Sequence, residues 1–273
     1  MIETILISLG IGLLAVILFL LGIIILKTAL FSPAQPPVKA QDFVNVDGKS
    51  VAERLGLAVQ YKTISFHDPE KFDRNAFLGL QRLFKTLYPQ VHAQLKLETV
   101  NDLSLLYTWE GQDPDLKPIM LISHLAVVPA DGDEGSGWTY PPFSGELADG
   151  YVWGRGTLDI KAGVVGILEA VEYLLKQDFQ PQRTVYLGFG HDEEVGGTNG
   201  AAAISALLES RGVELGSLLD EGGSVIEGFL PGVDTPVGVI GISEKGYLSL
   251  RLVTTVEGGH SSMPPQETAI GIL

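Results

Sequence analysis

At 273 residues the chain is long enough for one large domain or two modest ones, so length excludes little. Acidic residues outnumber basic ones by 33 to 18, for a formal charge of -15, and no Lys/Arg cluster stands ready to neutralise phosphates, which argues against nucleic-acid binding. The absence of cysteine rules out a disulfide framework and a thiolate metal site, so any transition metal here must be held by His and carboxylate.

In chain order, the stretch from Ile5 to Leu26 is uncharged and almost wholly aliphatic, about enough helix to cross a ~30 Å hydrocarbon core. It reads as one transmembrane helix. The alternative, a cleaved signal peptide, fits less well, because the run exceeds an h-region of roughly 7–15 residues and follows Glu3 rather than a basic n-region. Lys27 is the only charge near its C-terminal end, so charge does not set the orientation. Ser32 to Lys39, with Pro33, Pro36 and Pro37, reads as an extended linker. Apolar residues then recur at helical spacing over Val51–Tyr61 and Phe72–Leu87, with Phe77, Leu80, Leu83, Phe84 and Leu87 on one face of the second segment. Pro118–Ser123 reads as a strand, Leu158–Lys176 as a helix, Thr184–Gly190 as a strand, Asn199–Ser210 as a helix and Ser217–Leu219 as a strand. That alternation predicts an α/β domain with a largely parallel sheet. Tyr247–Val256 alternates as a half-exposed strand would, and a second, smaller domain is expected to begin near Lys245. The expected division is 1–31 anchor and flanks, 32–41 linker, 42–244 catalytic domain and 245–273 the start of the smaller domain.

The polar residues of interest sit where strands end. His124 follows one strand, His191-Asp192-Glu193-Glu194 the next and Asp220-Glu221 the third, and ligands of open α/β sheets bind at the carboxyl ends of strands. Asp159 lies in a loop with Gly154 and Gly156, just before a helix, within reach of the same crevice. Each has a plainer reading: a core histidine, a solvated acidic loop, a helix cap. Together, one imidazole and several carboxylates suit zinc or a similar divalent ion, and adjacent glutamates allow one to ligate while the other acts as base.

The segments Leu121–Pro129 (LISHLAVVP), Gly154–Lys161 (GRGTLDIK), Gly190–Gly197 (GHDEEVGG) and Asp220–Gly223 (DEGG) closely resemble the aminoacylase/carboxypeptidase family of di-zinc peptidases. Within it the likeness is greatest to carboxypeptidase S and the secreted N-acyl-amino-acid hydrolases. Trp138–Gly145, Ser243–Gly246 and Gly258–Ser262 extend the resemblance, which runs from about Val51 to the last residue. It implies a di-zinc catalytic domain interrupted by an α+β lid and dimerisation domain. Two zinc ions are expected, His124 and Glu194 on separate metals, Asp159 bridging them and Asp220 as a further ligand, with Glu221 as its alternative. Glu193 would be the general base. His260 would reach the substrate from the smaller domain, often across a homodimer. Arg155 and His191 have supporting parts at most, the one in the Gly-rich loop and the other orienting the acidic run. The implied substrate is a peptide or N-acyl amino acid, handled by a single-pass membrane protein whose catalytic domain faces the extracytoplasmic or lumenal side.

Two departures qualify this. The family has an aspartate two residues after the first ligating histidine, where it accepts a hydrogen bond from the imidazole, and this chain has Ala126 there; loss of such a partner costs roughly 10–100-fold in metal affinity or activity. The resemblance also implies a last histidine ligand after the inserted domain, and no residue beyond His260 can supply it, which points to a fragment of a longer protein. The competing reading is a catalytically impaired, membrane-tethered binding module.

Overall fold

The structure, a computed structural model, describes residues 2–31, 44–131, 136–229, 231–243, 245–246, 248, 250–256, 262 and 268–272. It divides into two units, Met1–Val46 and Asp47–Leu273. The expected linker at Ser32–Lys39 and His260 lie outside the described residues.

In the first unit, helix α1 (Ile2–Ala29) is unbroken, and its stretch Gly10–Ala29 is long and apolar enough to cross a membrane. The apolar side chains from Leu13 to Leu26 are exposed, as a membrane anchor or a signal sequence would leave them.

In the second unit, α2 (Gly48–Val59) starts where Asp47 accepts the Ser50 N–H, and α3 (Arg74–Leu87) where Asp73 accepts those of Asn75 and Ala76. The α3 stripe falls as its spacing predicts: Phe77, Leu80 and Phe84 are buried, with Leu83 and Leu87 packed against them. A short helix, α4 (Pro89–Gln94), follows and leads into β1 (Lys96–Val100), β2 (Ser104–Trp109) and β3 (Ile119–His124). Next come a hairpin of β4 (Glu146–Ala148) and β5 (Tyr151–Trp153), helix α5 (Ala162–Leu175), β6 (Val185–Gly190), α6 (Ala201–Ser210) and β7 (Ser217–Leu219).

The main sheet has the order β1-β2-β6-β3-β7. Only β6–β3 and β3–β7 pair parallel; β1–β2 and β2–β6 are antiparallel, so the sheet is mixed rather than largely parallel. The reason is local. Asn101 and Asp102 adopt positive φ, which short polar side chains tolerate, and turn the chain back into a hairpin. Alternation along the strands feeds two layers. Leu105, Tyr107, Leu187 and Phe189 join the core under α3, α4 and α5, while Leu106 and Met120 join Ile204 and Leu208 of α6 on the other face. Of the expected strand over Tyr247–Val256, the described residues form no strand, and Leu248, Leu250, Leu252 and Val253 are all exposed instead of alternating.

Candidate metal centre

Three strand ends and one irregular loop build the site. His124 is the last residue of β3, opposite Gly190 at the end of β6, so the parallel register brings the following segments side by side. The helix expected from Leu158 begins only at Ala162. Residues Thr157–Lys161 form an irregular turn after Gly156, whose φ is +84, and Asp159 is extended there (φ -125, ψ 94). That conformation swings its carboxylate to the imidazole. A Cβ on Gly156 would stand 2.4 Å from Val127 Cγ1, so only glycine lets this loop pack against the segment after His124. Lys161 anchors the loop from below: it is fully buried and donates to the carbonyls of Ala58 (3.0 Å) and Tyr61 (2.5 Å).

His124 is 2% exposed. Its Nε2 stands 3.1 Å from Asp159 Oδ1, 3.3 Å from Glu221 Oε1 and 3.4 Å from Glu193 Oε2. Two overlapping groups result, His124-Asp159-Glu194 and His124-Glu193-Glu221, each with its ligand atoms within 4.8 Å of one another. Donor atoms bound tetrahedrally to zinc at about 2.0–2.1 Å would be about 3.3 Å apart, so both the spacing and the N/O donor set fit such an ion. Asp220 is in neither group. It is exposed, and its Oδ1 accepts the Glu221 N–H at 2.8 Å, which leaves Glu221 as the residue of that pair facing His124.

The electrostatics agree with a cation site. Burial, and then the neighbouring Asp159 and Glu193, push the Glu194 carboxyl above its usual range, against an opposing pull from His124. Burial likewise raises Glu221, with His124 opposing and Asp159, Glu193 and Asp220 adding to it. Four carboxylates around one imidazole carry a surplus of negative charge that a divalent ion would neutralise.

Neighbouring contacts fix the acidic run. Ser65 Oγ donates to the His191 carbonyl (2.6 Å), Ser104 Oγ meets His191 Nδ1 (2.7 Å), and Asp192 Oδ2 accepts the Asn199 N–H (2.7 Å). His191 thus supports the run and stays out of both ligand groups. Arg155 lies over the Trp138 ring, 5.4 Å from its centroid. Sequence reasoning did not single out Ser65, Ser104 or Lys161; a lysine two residues after a candidate ligand inside an apolar stretch was the signal for the last.

Residues 120–266 match the sequence model described as Peptidase family M20/M25/M40. A probable carboxypeptidase S-like protein of Dictyostelium discoideum is 42% identical over 266 residues, which is 93% of this chain and 50% of that protein. An N-fatty-acyl-amino acid synthase/hydrolase of Mus musculus is 44% identical over 82% of this chain and 44% of its own length. Carboxypeptidase S of Saccharomyces cerevisiae is 41% identical over 84% of this chain and 40% of its own. The chain therefore spans half or less of the length of these relatives.

Proposed function

This chain belongs to peptidase family M20/M25/M40, and we propose that it carries the catalytic face of a zinc-dependent hydrolase of peptide or N-acyl-amino-acid amide bonds. The observation that carries this reading is the convergence of Asp159, Glu193, Glu194 and Glu221 on the buried imidazole of His124. In the proposed assignment, His124, Asp159, Glu194 and Glu221 would hold the ions, with Asp220 beside Glu221 as the alternative ligand of that pair. Bound there, the ions would lower the pKa of a water and polarise the scissile carbonyl.

Glu193 is the proposed general base. It is half-exposed on the open side of the cluster, where it can take a proton from the attacking water and return it to the leaving amine. Burial raises the carboxyl of its neighbour Glu194, a burden that a bound cation would relieve. A cavity of about 370 Å³ adjoins the acidic turn; Phe66, Phe72 and Val195 line it together with polar Ser65, His67, Thr198 and Asn199, a mixed surface for one end of the substrate. His260 keeps the role implied by resemblance, contacting substrate within a homodimer.

The same reading makes α1 a membrane anchor, supported by its exposed, unbroken apolar length. N-terminal sequencing of the mature protein separates an anchor from a signal sequence, since cleavage after α1 would remove it. The catalytic assignment is tested with Glu193→Gln. The variant should retain about two divalent ions while hydrolysis of N-acyl amino acids falls roughly 10²–10⁴-fold. Turnover that survives in the metal-loaded variant sinks the assignment of the base.

A further inference from the structure

We propose that in this chain the main-chain carbonyl of Ala126, held in place by Thr63, orients the His124 imidazole, the task that the family resemblance gives to an aspartate side chain at this position. The inference rests on the metal-site reading above, and its test includes a measurement that needs no metal.

His124 Nδ1 lies 2.8 Å from the Ala126 carbonyl oxygen, within the range of a well-made N–H···O bond. A carbonyl oxygen carries no proton, so the contact is attractive only if Nδ1 carries one. With Nδ1 as donor, a neutral imidazole turns its Nε2 lone pair toward Asp159 and Glu221, where a divalent ion would sit. Both residues are buried, Ala126 fully and His124 nearly so, which keeps water from competing for the bond.

The carbonyl is placed by a clamp around it. Leu125 N–H donates to Gly190 O (2.7 Å), and Val127 N–H donates to Thr63 O (2.9 Å). Thr63 Oγ1 donates to Leu125 O (2.6 Å), and Ser65 N–H to Val127 O (3.2 Å). The carbonyls on either side of Ala126 are therefore both engaged, and the one between them is turned to the imidazole. Thr63 holds the segment from both sides and is itself fully buried. Thr63 is thus a positioning residue acting through the backbone, and Ala126 needs no side-chain function. It follows that the alanine does not leave the histidine without a partner.

The experiment uses the chain with ¹⁵N-labelled histidine. In zinc-free protein, the neutral His124 imidazole should carry its proton on Nδ1, the nitrogen that faces the Ala126 carbonyl. Zinc affinity, measured by competition with a chelator, should change less than about threefold in Ala126→Asp. It should fall about tenfold in Thr63→Val, with faster solvent exchange of the Nδ1 proton, and recover in Thr63→Ser. The proposal is overturned by a neutral tautomer protonated on Nε2, by a tenfold or greater gain of zinc affinity in Ala126→Asp, or by unchanged affinity in Thr63→Val. Should the chain bind no zinc at all, the metal-site reading fails, and the Nδ1 proton still decides the orienting contact. The wild-type measurement stands even if Thr63→Val does not fold.

Discussion

Replacing Lys161 by Met probes how the Asp159 loop is held. Burial pushes the Lys161 ammonium down from 10.5 to about 7, and the group donates to two carbonyls. In the folded chain near pH 7 the group is thus about half charged, and keeping it charged is disfavoured by about 5 kcal/mol relative to water. Met relieves that burden but forfeits two hydrogen bonds worth about 1.5–3 kcal/mol each when charged. Neither carbonyl is stranded, because Tyr61 N–H still donates to Ala58 O and Thr63 N–H to Tyr61 O. The net change at pH 7 should therefore stay within about 2 kcal/mol. The pH dependence is the sharper signal. The folded pKa is depressed below the unfolded one, so between about pH 7 and 10 the unfolded chain holds a proton that the folded chain has lost, and stability rises with pH. From pH 7 to pH 9 the gain should be about 2 kcal/mol in the native protein and absent in Lys161→Met. Burial also raises the hydroxyls of Tyr88 and Tyr107, but these reduce stability only as pH approaches the unfolded tyrosine value of 10. Urea unfolding of zinc-free protein at pH 7, 8 and 9 measures the effect. A native midpoint that does not rise, or an equal rise in the variant, would show that Lys161 is not the group that loses its proton on folding.

Two further outcomes follow from the site and its scaffold. Glu221→Gln should weaken zinc binding about tenfold or more and Asp220→Asn less, because only Glu221 faces His124; chelator competition measures both, and the reverse order would restore Asp220 as the ligand. Glu172, 3% exposed, accepts the N–H groups of Gln90 and Val91 at the start of α4, where Tyr88 offers no side-chain cap. Glu172→Ala should therefore destabilise by about 2–4 kcal/mol and Glu172→Gln by about 1 kcal/mol, read as urea midpoints, and equal losses would show that capping is not its role.

What the sequence made legible follows from how each feature is encoded. The strands β3, β6 and β7 lie within a residue of their expected limits, because short apolar runs end at Pro118, His124 and Gly190. The hairpin of β1 and β2 was missed although Asn101-Asp102 is a turn signal, since Lys96–Val100 has a charged, exposed face that resembles a loop. The β4–β5 hairpin was missed in the same way, despite the Asp149-Gly150 pair at its turn. At the site, residue type marked His124, Asp159, Glu193 and Glu194. Nothing in residue type could mark the Ala126 carbonyl, because every residue has one, and its use depends on the path of the chain past Thr63.

The mixed pairing of the sheet bears directly on the chemistry. β6 runs parallel to β3 and antiparallel to β2, so at its carboxyl end it meets the end of one neighbour and the beginning of the other. The chain leaving β6 uses both. His191 turns toward β2, where Ser104 takes its ring nitrogen and Phe72 and Phe77 stand edge-on to it at 6.1 and 6.2 Å. Three residues later Glu194 has crossed to the β3 side and the imidazole of His124. A fully parallel sheet would place a second outgoing loop where Ser104 now begins β2, and the acidic run would lose that fixed support. The antiparallel edge that sequence reasoning overlooked thus fixes the start of the acidic run, His191 and Asp192, from which the two glutamates reach toward His124.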